Sequence, residues 1–152
     1  MWKIPCGIIR EGTDPSVTSN VLPLSTVVDQ NLSTSTIQER FLQKQFNKDE
    51  LSKLKEQDQT NKTHAIPSGS LLLRMGSTKA TVMAPKLEVV TKNDNNSDDI
   101  QLRLGQDFLS MYQGWLDIEG EGGLFIVLKQ EDGSKGEEVL IPVMQARPRL
   151  DL

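Results

Sequence analysis

Apolar residues along this chain fall into short runs separated by polar turns, a pattern of strands with a few brief helices. Trp2 to Ile9 alternates weakly and meets the polar run Arg10-Glu11-Gly12-Thr13-Asp14-Pro15-Ser16, which predicts a strand entering a loop. Val21 to Val28 returns as a second, more apolar strand. At Thr36 the period lengthens: Ile37, Phe41, Leu42 and Phe46 recur at three-to-four spacing, so a helix is expected near 36–46. Asn47 and, three residues on, Glu50 form a capping pair opening a second short helix with Leu51 and Leu54 on its apolar side. The alternating Lys, Glu and Asp running on through Lys62 predict a solvated face or loop.

Beyond Ser70 the helical period disappears. Leu71-Leu72-Leu73, Ala80 to Met83 and Leu87 to Val90 predict meandering strands, divided by Gly76-Ser77-Thr78 and Ala84-Pro85. Asn93 to Asp99 is an acidic loop without an apolar anchor. Ile100 to Leu104 predicts a strand, Gln106 to Tyr112 a short helix, and Trp115 to Ile118, Gly123 to Leu128 and Val139 to Val143 three more strands. Glu131-Asp132-Gly133-Ser134 is the turn before the last of these. The expected organisation is one domain over 1–152, mostly β, with polar insertions near 10–20, 47–65 and 93–99.

Composition narrows the chemistry. A net charge of -4 supplies no clustered basic surface for phosphate backbones, so a nucleic-acid partner is not expected. The longest apolar run is far shorter than the ~20 residues a membrane-spanning helix needs, so a soluble chain without a membrane partner is expected. Cys6 is the one cysteine, which excludes an intrachain disulfide and a cysteine-built zinc site and fits a reducing, intracellular setting. His64, the one histidine, lies among Asn61, Lys62 and Thr63 and reads as an ordinary loop residue. No metal and no cofactor is expected. Arg147-Pro148-Arg149 reads as an exposed basic tail with no specific role.

Two strand, turn and helix units carry the functional signal. The first is Ser25-Thr26-Val27-Val28-Asp29-Gln30-Asn31-Leu32-Ser33-Thr34-Ser35-Thr36-Ile37, and the second is Leu102-Arg103-Leu104-Gly105-Gln106-Asp107-Phe108-Leu109. Together they resemble the two hallmarks of retropepsin-like aspartic proteases, a group with retroviral, retrotransposon and ubiquitin-shuttle branches. In that group a strand runs into Asp-Thr/Ser-Gly-Ala-Ser, and a later apolar-apolar-Gly turn is followed by x-Asp-Phe/Met-Leu. The resemblance is in register at Asp29, Ser33, Ser35 and Ile37, and at Leu104, Gly105 and Asp107. Ile4-Pro5-Cys6-Gly7-Ile8-Ile9 and Trp115-Leu116-Asp117-Ile118 fall where that group places strands. The departure lies at Gln30 and Asn31, which stand where the motif has a hydroxyl residue and a glycine.

The resemblance implies a retropepsin-like acid protease fold, with small closed, barrel-like sheets and short helices, and catalysis only as a homodimer in which each chain supplies one aspartate. Two such carboxylates share a proton, so that one acts as base on water while the other polarises the substrate carbonyl. Asp29 is the catalytic candidate. It equally reads as a residue that caps its own turn. The flap that closes over peptide in that group would fall at Ile66, Pro67, Ser68 and Gly69, short enough to leave the cleft open. Because Gln30 and Asn31 alter the close packing around the carboxylates, the expectation is a catalytically degenerate domain that dimerises or binds a protein or peptide. The alternatives are a working homodimeric aspartic endopeptidase and an accessory subunit of a larger assembly.

Overall fold

The computed structural model describes residues 2–9, 17–54, 56–58, 63–76, 81–90, 100–117, 120, 122–129 and 134–143. The acidic loop expected at 93–99, the turn at 131–133 and the basic tail at 147–149 lie outside the described residues. In chain order the elements are β1 (Trp2–Ile4), β2 (Cys6–Ile9), β3 (Val21–Pro23), β4 (Thr26–Val28), β5 (Thr36–Gln38), α1 (Glu39–Gln45), α2 (Lys48–Leu54), β6 (Glu56–Asp58), β7 (Thr63–Ile66), β8 (Leu72–Met75), β9 (Thr81–Met83), β10 (Leu87–Val90), β11 (Leu102–Leu104), α3 (Gln106–Met111), β12 (Trp115–Asp117), β13 (Gly123–Lys129) and β14 (Lys135–Pro142), with a single 3-10 turn at Thr18–Asn20.

The strands form three sheets. The largest runs β1-β4-β11-β5-β10-β7-β6, a second β3-β2-β8-β9, and a third β12-β13-β14. The long strands expected at the start of the chain each divide between two sheets. Pro5, which cannot donate to a ladder, separates β1 from β2, and its carbonyl accepts from Gly76 N–H at 2.8 Å. Leu24 and Ser25 make the matching corner between β3 and β4, with Leu24 N–H donating to Cys6 O at 3.2 Å.

Most pairs in the large sheet are antiparallel, but β4 and β11 run parallel, as do β5 and β10. The parallel pair β4–β11, second and third in the order, aligns Thr26 with Leu102 and Val28 with Leu104. All three β4 residues are buried, the signature of a strand covered on both faces. A single apolar cluster reaches from Ile4 and Val28 in the large sheet through Ile8, Leu73 and Val82 to Leu124, Ile126 and Ile141 in the third. Phe108 belongs to it, fully buried, with its ring centroid 5.3 Å from that of Tyr112. The Tyr112 hydroxyl donates to Met83 O at 2.7 Å, so this buried phenol is paired and ties α3's end to β9.

Three expectations change. The helix expected from residue 36 begins at Glu39, because Thr36–Gln38 is drawn into the sheet between β11 and β10, where β-branched Thr36 and Ile37 fit the pleat. The charged stretch after Leu54 is not wholly loop: Glu56–Asp58 pairs antiparallel with Thr63–Ile66 as the outermost strand of the large sheet. Charged residues suit such an edge, where one side of the ladder meets water. His64 lies in β7 opposite Gln57 rather than in a loop. The capping pair is as expected, with Glu50 N–H donating to Asn47 Oδ1 at 2.8 Å and Asn47 N–H to Glu50 Oε1 at 3.1 Å.

Candidate functional site

Parallel pairing of β4 with β11 delivers the turns that follow them to the same end of the pair. Asp29 continues the ladder by one residue, its N–H donating to Leu104 O at 2.9 Å. The chain then reverses: Leu32 N–H donates to Asp29 O at 3.2 Å, and Asn31 N–H donates to Asp29 Oδ1 at 3.0 Å. This is an Asx turn, in which an aspartate side chain stands in for a backbone acceptor. Asp29 is half-buried, while Gln30 and Asn31 at the tip are exposed. Gln113 is the one non-glycine described residue with positive φ, so neither Gln30 nor Asn31 adopts a left-handed conformation. The turn therefore closes without the backbone freedom of a glycine.

The second turn is built differently. A Cβ added at Gly105 would collide with the carbonyl of Leu32, so only glycine lets the two loops approach. Gly105 N–H donates to Ser35 Oγ at 2.9 Å, and Ser35 Oγ donates to Asp107 Oδ1 at 2.6 Å. Ser35 N–H reaches Asp107 Oδ2 at 2.9 Å, and Phe108 N–H reaches Asp107 Oδ1 at 2.8 Å. The carboxylate thus accepts three bonds and clasps one loop to the other beneath the surface.

Helix α3 has no side-chain cap at Gly105. Its first donors are instead taken by carbonyls of the opposite loop, Gln106 N–H by Leu32 O at 2.7 Å and Asp107 N–H by Ser33 O at 3.3 Å. Gln106 adds a side-chain bond, Nε2 to Gln30 O at 2.7 Å. Asp29, Gln30, Asn31, Ser33, Leu104, Gly105 and Asp107 are therefore brought together, with Leu104 buried and Ser33 exposed. Two residues of the assembly were not singled out from the sequence. Ser35 was visible only as a downstream serine, and Gln106 only as a variable position after the glycine.

The fold that carries these turns has a solved counterpart. The crystal structure of the retroviral protease-like domain of Ddi1 from Leishmania major matches 97% of this chain and 98% of its own, with a TM-score of 0.62 and 15% identity. The fold is retropepsin-like. A retropepsin-like aspartic protease from Rickettsia conorii aligns over 76% of this chain and 75% of its own, with a TM-score of 0.43 and 17% identity. No protein-family model and no curated protein matches the sequence. Asp29, Gln30 and Asn31 lie in the turn after β4, and Gly105 and Asp107 where β11 turns into α3.

The proposed flap residues lie apart from these bonds. Ile66 is buried at the end of β7, and Pro67 to Ser70 form a tight turn leading to β8, with Ser70 N–H donating to Pro67 O at 3.1 Å. Gly69, at φ 83°, supplies the left-handed residue of that turn and donates its N–H to Ala84 O at 2.9 Å. The hairpin of this region is β6–β7, and its connection at 59–62 is outside the described residues.

Other chemistry-bearing groups are structural. Cys6 is half-buried as a residue, yet desolvation pushes its thiol up to about 12 despite bonds from the Thr26 side chain and the Gly7 backbone. A thiol so raised stays protonated and unreactive near neutral pH. Burial likewise raises the Tyr112 phenol. Among the described residues no three His, Cys, Asp or Glu side chains are placed to hold a metal ion, and no helix is long and apolar enough to cross a membrane.

Proposed function

We propose that this chain is one catalytically degenerate retropepsin-like domain that acts by dimerising or by binding a protein or peptide. The observation that carries the reading is the tip of the first turn: the exposed side chains of Gln30 and Asn31 flank a half-buried Asp29 carboxylate that already accepts Asn31 N–H. Aspartic protease chemistry needs a second carboxylate close enough to share a proton, and a single chain of this kind contributes one. Two exposed carboxamides occupy the surface over which a second such turn must approach. A displacement near 1 Å can lower a rate by ~100-fold, so any residual reaction is slow. The same carboxamides offer donors and acceptors that suit polar recognition of another chain.

The alternative is an active homodimeric aspartic endopeptidase using Asp29 from each chain. What favours it is that Asp29 is retained, partly accessible and held by the backbone bond to Leu104. Light scattering coupled to size exclusion, with crosslinking, tests the leading reading; a strictly monomeric chain that captures no partner overturns it. Incubation with a peptide library at mildly acidic pH, beside Asp29→Asn, tests the alternative, which fails if no cleavage depends on Asp29.

A further inference from the structure

The peptide unit joining Gln30 to Asn31 is held at both ends. Its carbonyl oxygen, on Gln30, accepts from Gln106 Nε2 at 2.7 Å, and its N–H, on Asn31, donates to Asp29 Oδ1 at 3.0 Å. One rigid plane therefore links the Gln106 side chain to the Asp29 carboxylate, because the two bonded groups of a peptide cannot rotate independently. Gln106 also donates its backbone N–H to Leu32 O at 2.7 Å, so a single residue of α3 grips both ends of the 30–32 segment. The buried Ser35–Asp107 clasp acts farther along the loop, and among the described bonds it does not touch the Gln30 carbonyl.

We propose that Gln106 is the positioning residue of the Asp29 turn. By donating to the Gln30 carbonyl it fixes the 30–31 peptide plane, polarises the Asn31 N–H toward the Asp29 carboxylate, and sets the direction in which Asp29, Gln30 and Asn31 face a partner. Loss of the donor frees the plane to turn, and the Asn31 N–H leaves the carboxylate with it. The clause about a partner rests on the binding role proposed above; the positioning of the turn does not.

Gln106→Glu tests the effect, since it keeps the shape of the side chain and replaces the Nε2 donor with a carboxylate oxygen that can only accept. A carboxylate in the first turn of α3 is favoured by the helix dipole, so the variant is not expected to unfold. Amide exchange in the labelled full chain then reads the turn. The expected result is roughly 5- to 10-fold faster exchange at Asn31, the loss of about one hydrogen bond. The Asp29 amide, bonded to Leu104, and the Phe108 amide, bonded to Asp107, should not change. Gln106→Arg, which restores a donor, should return Asn31 toward the parent rate. Unchanged exchange at Asn31 in Gln106→Glu overturns the proposal, as does an equal rise at all three amides, which would mark a general loosening. Sedimentation of parent and variant reads the partner clause separately: a monomeric parent removes the dimer reading and leaves the exchange result to decide the role of Gln106.

Discussion

The two turns that meet at the ends of β4 and β11 start from the same device, a parallel strand ending in a reversal, and end as opposites. The second turn buries Gly105, admits no side chain there, and holds a half-buried Asp107 in three bonds. The Asp29 turn is closed by its own residues and the grip of Gln106, needs no left-handed residue, and leaves Gln30 and Asn31 in solvent. A buried network leaves little room for replacement, because every lost partner strands a group out of reach of water. An exposed tip has no such constraint within one chain. The second turn therefore ties the two loops together, while the tip of the first carries side chains that the fold itself does not require.

Breaking the second turn should give the largest effects. Gly105→Ala drives a methyl group into the Leu32 carbonyl and should cost about 3 kcal/mol or more in urea unfolding, or prevent folding altogether. Asp107→Ala takes the acceptor from Ser35 N–H and from the Ser35 hydroxyl, leaves Phe108 N–H only its bond to Gly105 O, and should cost about 3 kcal/mol by the same measurement. If either variant is as stable as the parent, the clasp does not hold the scaffold.

A mid-sized effect probes the strand beneath the first turn, since the Cys6 thiol bonds to Thr26 at the foot of β4. The thiol titrates near 9.0 when unshifted and near about 12 when folded, so its neutral form is favoured by folding. That stability is full below pH 9 and is lost as pH rises from about 9 toward about 12, reaching about 2 kcal/mol at about pH 10.5. Cys6→Ala should remove this limb of the stability curve; a residual decline above about pH 10 belongs to Tyr112, whose phenol burial also raises.

The smallest stability change is expected at the first turn. Gln30→Thr with Asn31→Gly should alter unfolding by less than about 1 kcal/mol, mostly through the added backbone freedom of glycine. The same pair should change oligomeric state or Asp29-dependent cleavage far more than stability. A large stability loss there would dissolve the contrast between the turns.

Much of this was legible in the chain. The order of short strands and the Asn47–Glu50 cap follow from periodicity and turn chemistry, which act over a few residues and leave a local trace, whereas the register of Asp29, Gly105 and Asp107 was visible only as a resemblance to retropepsin-like motifs. Thr36–Gln38 was misread because its apolar spacing continues into α1, and only neighbours on both sides in the sheet make it a strand. Glu56–Asp58 has no strand signature and becomes one by pairing with β7. The role of Ser35 was hidden because Asp107, which it bonds, lies 72 residues away.

By itself, then, the sequence determined which residues could turn, pair and carry charge. Tertiary structure decided that Gly105 must be glycine, that Ser35 and Asp107 are a buried clasp, and that Gln106 reaches across to the Asp29 turn. Those facts depend on bringing two distant loops within hydrogen-bond reach. A pattern read along one chain records the residues but not the crossing.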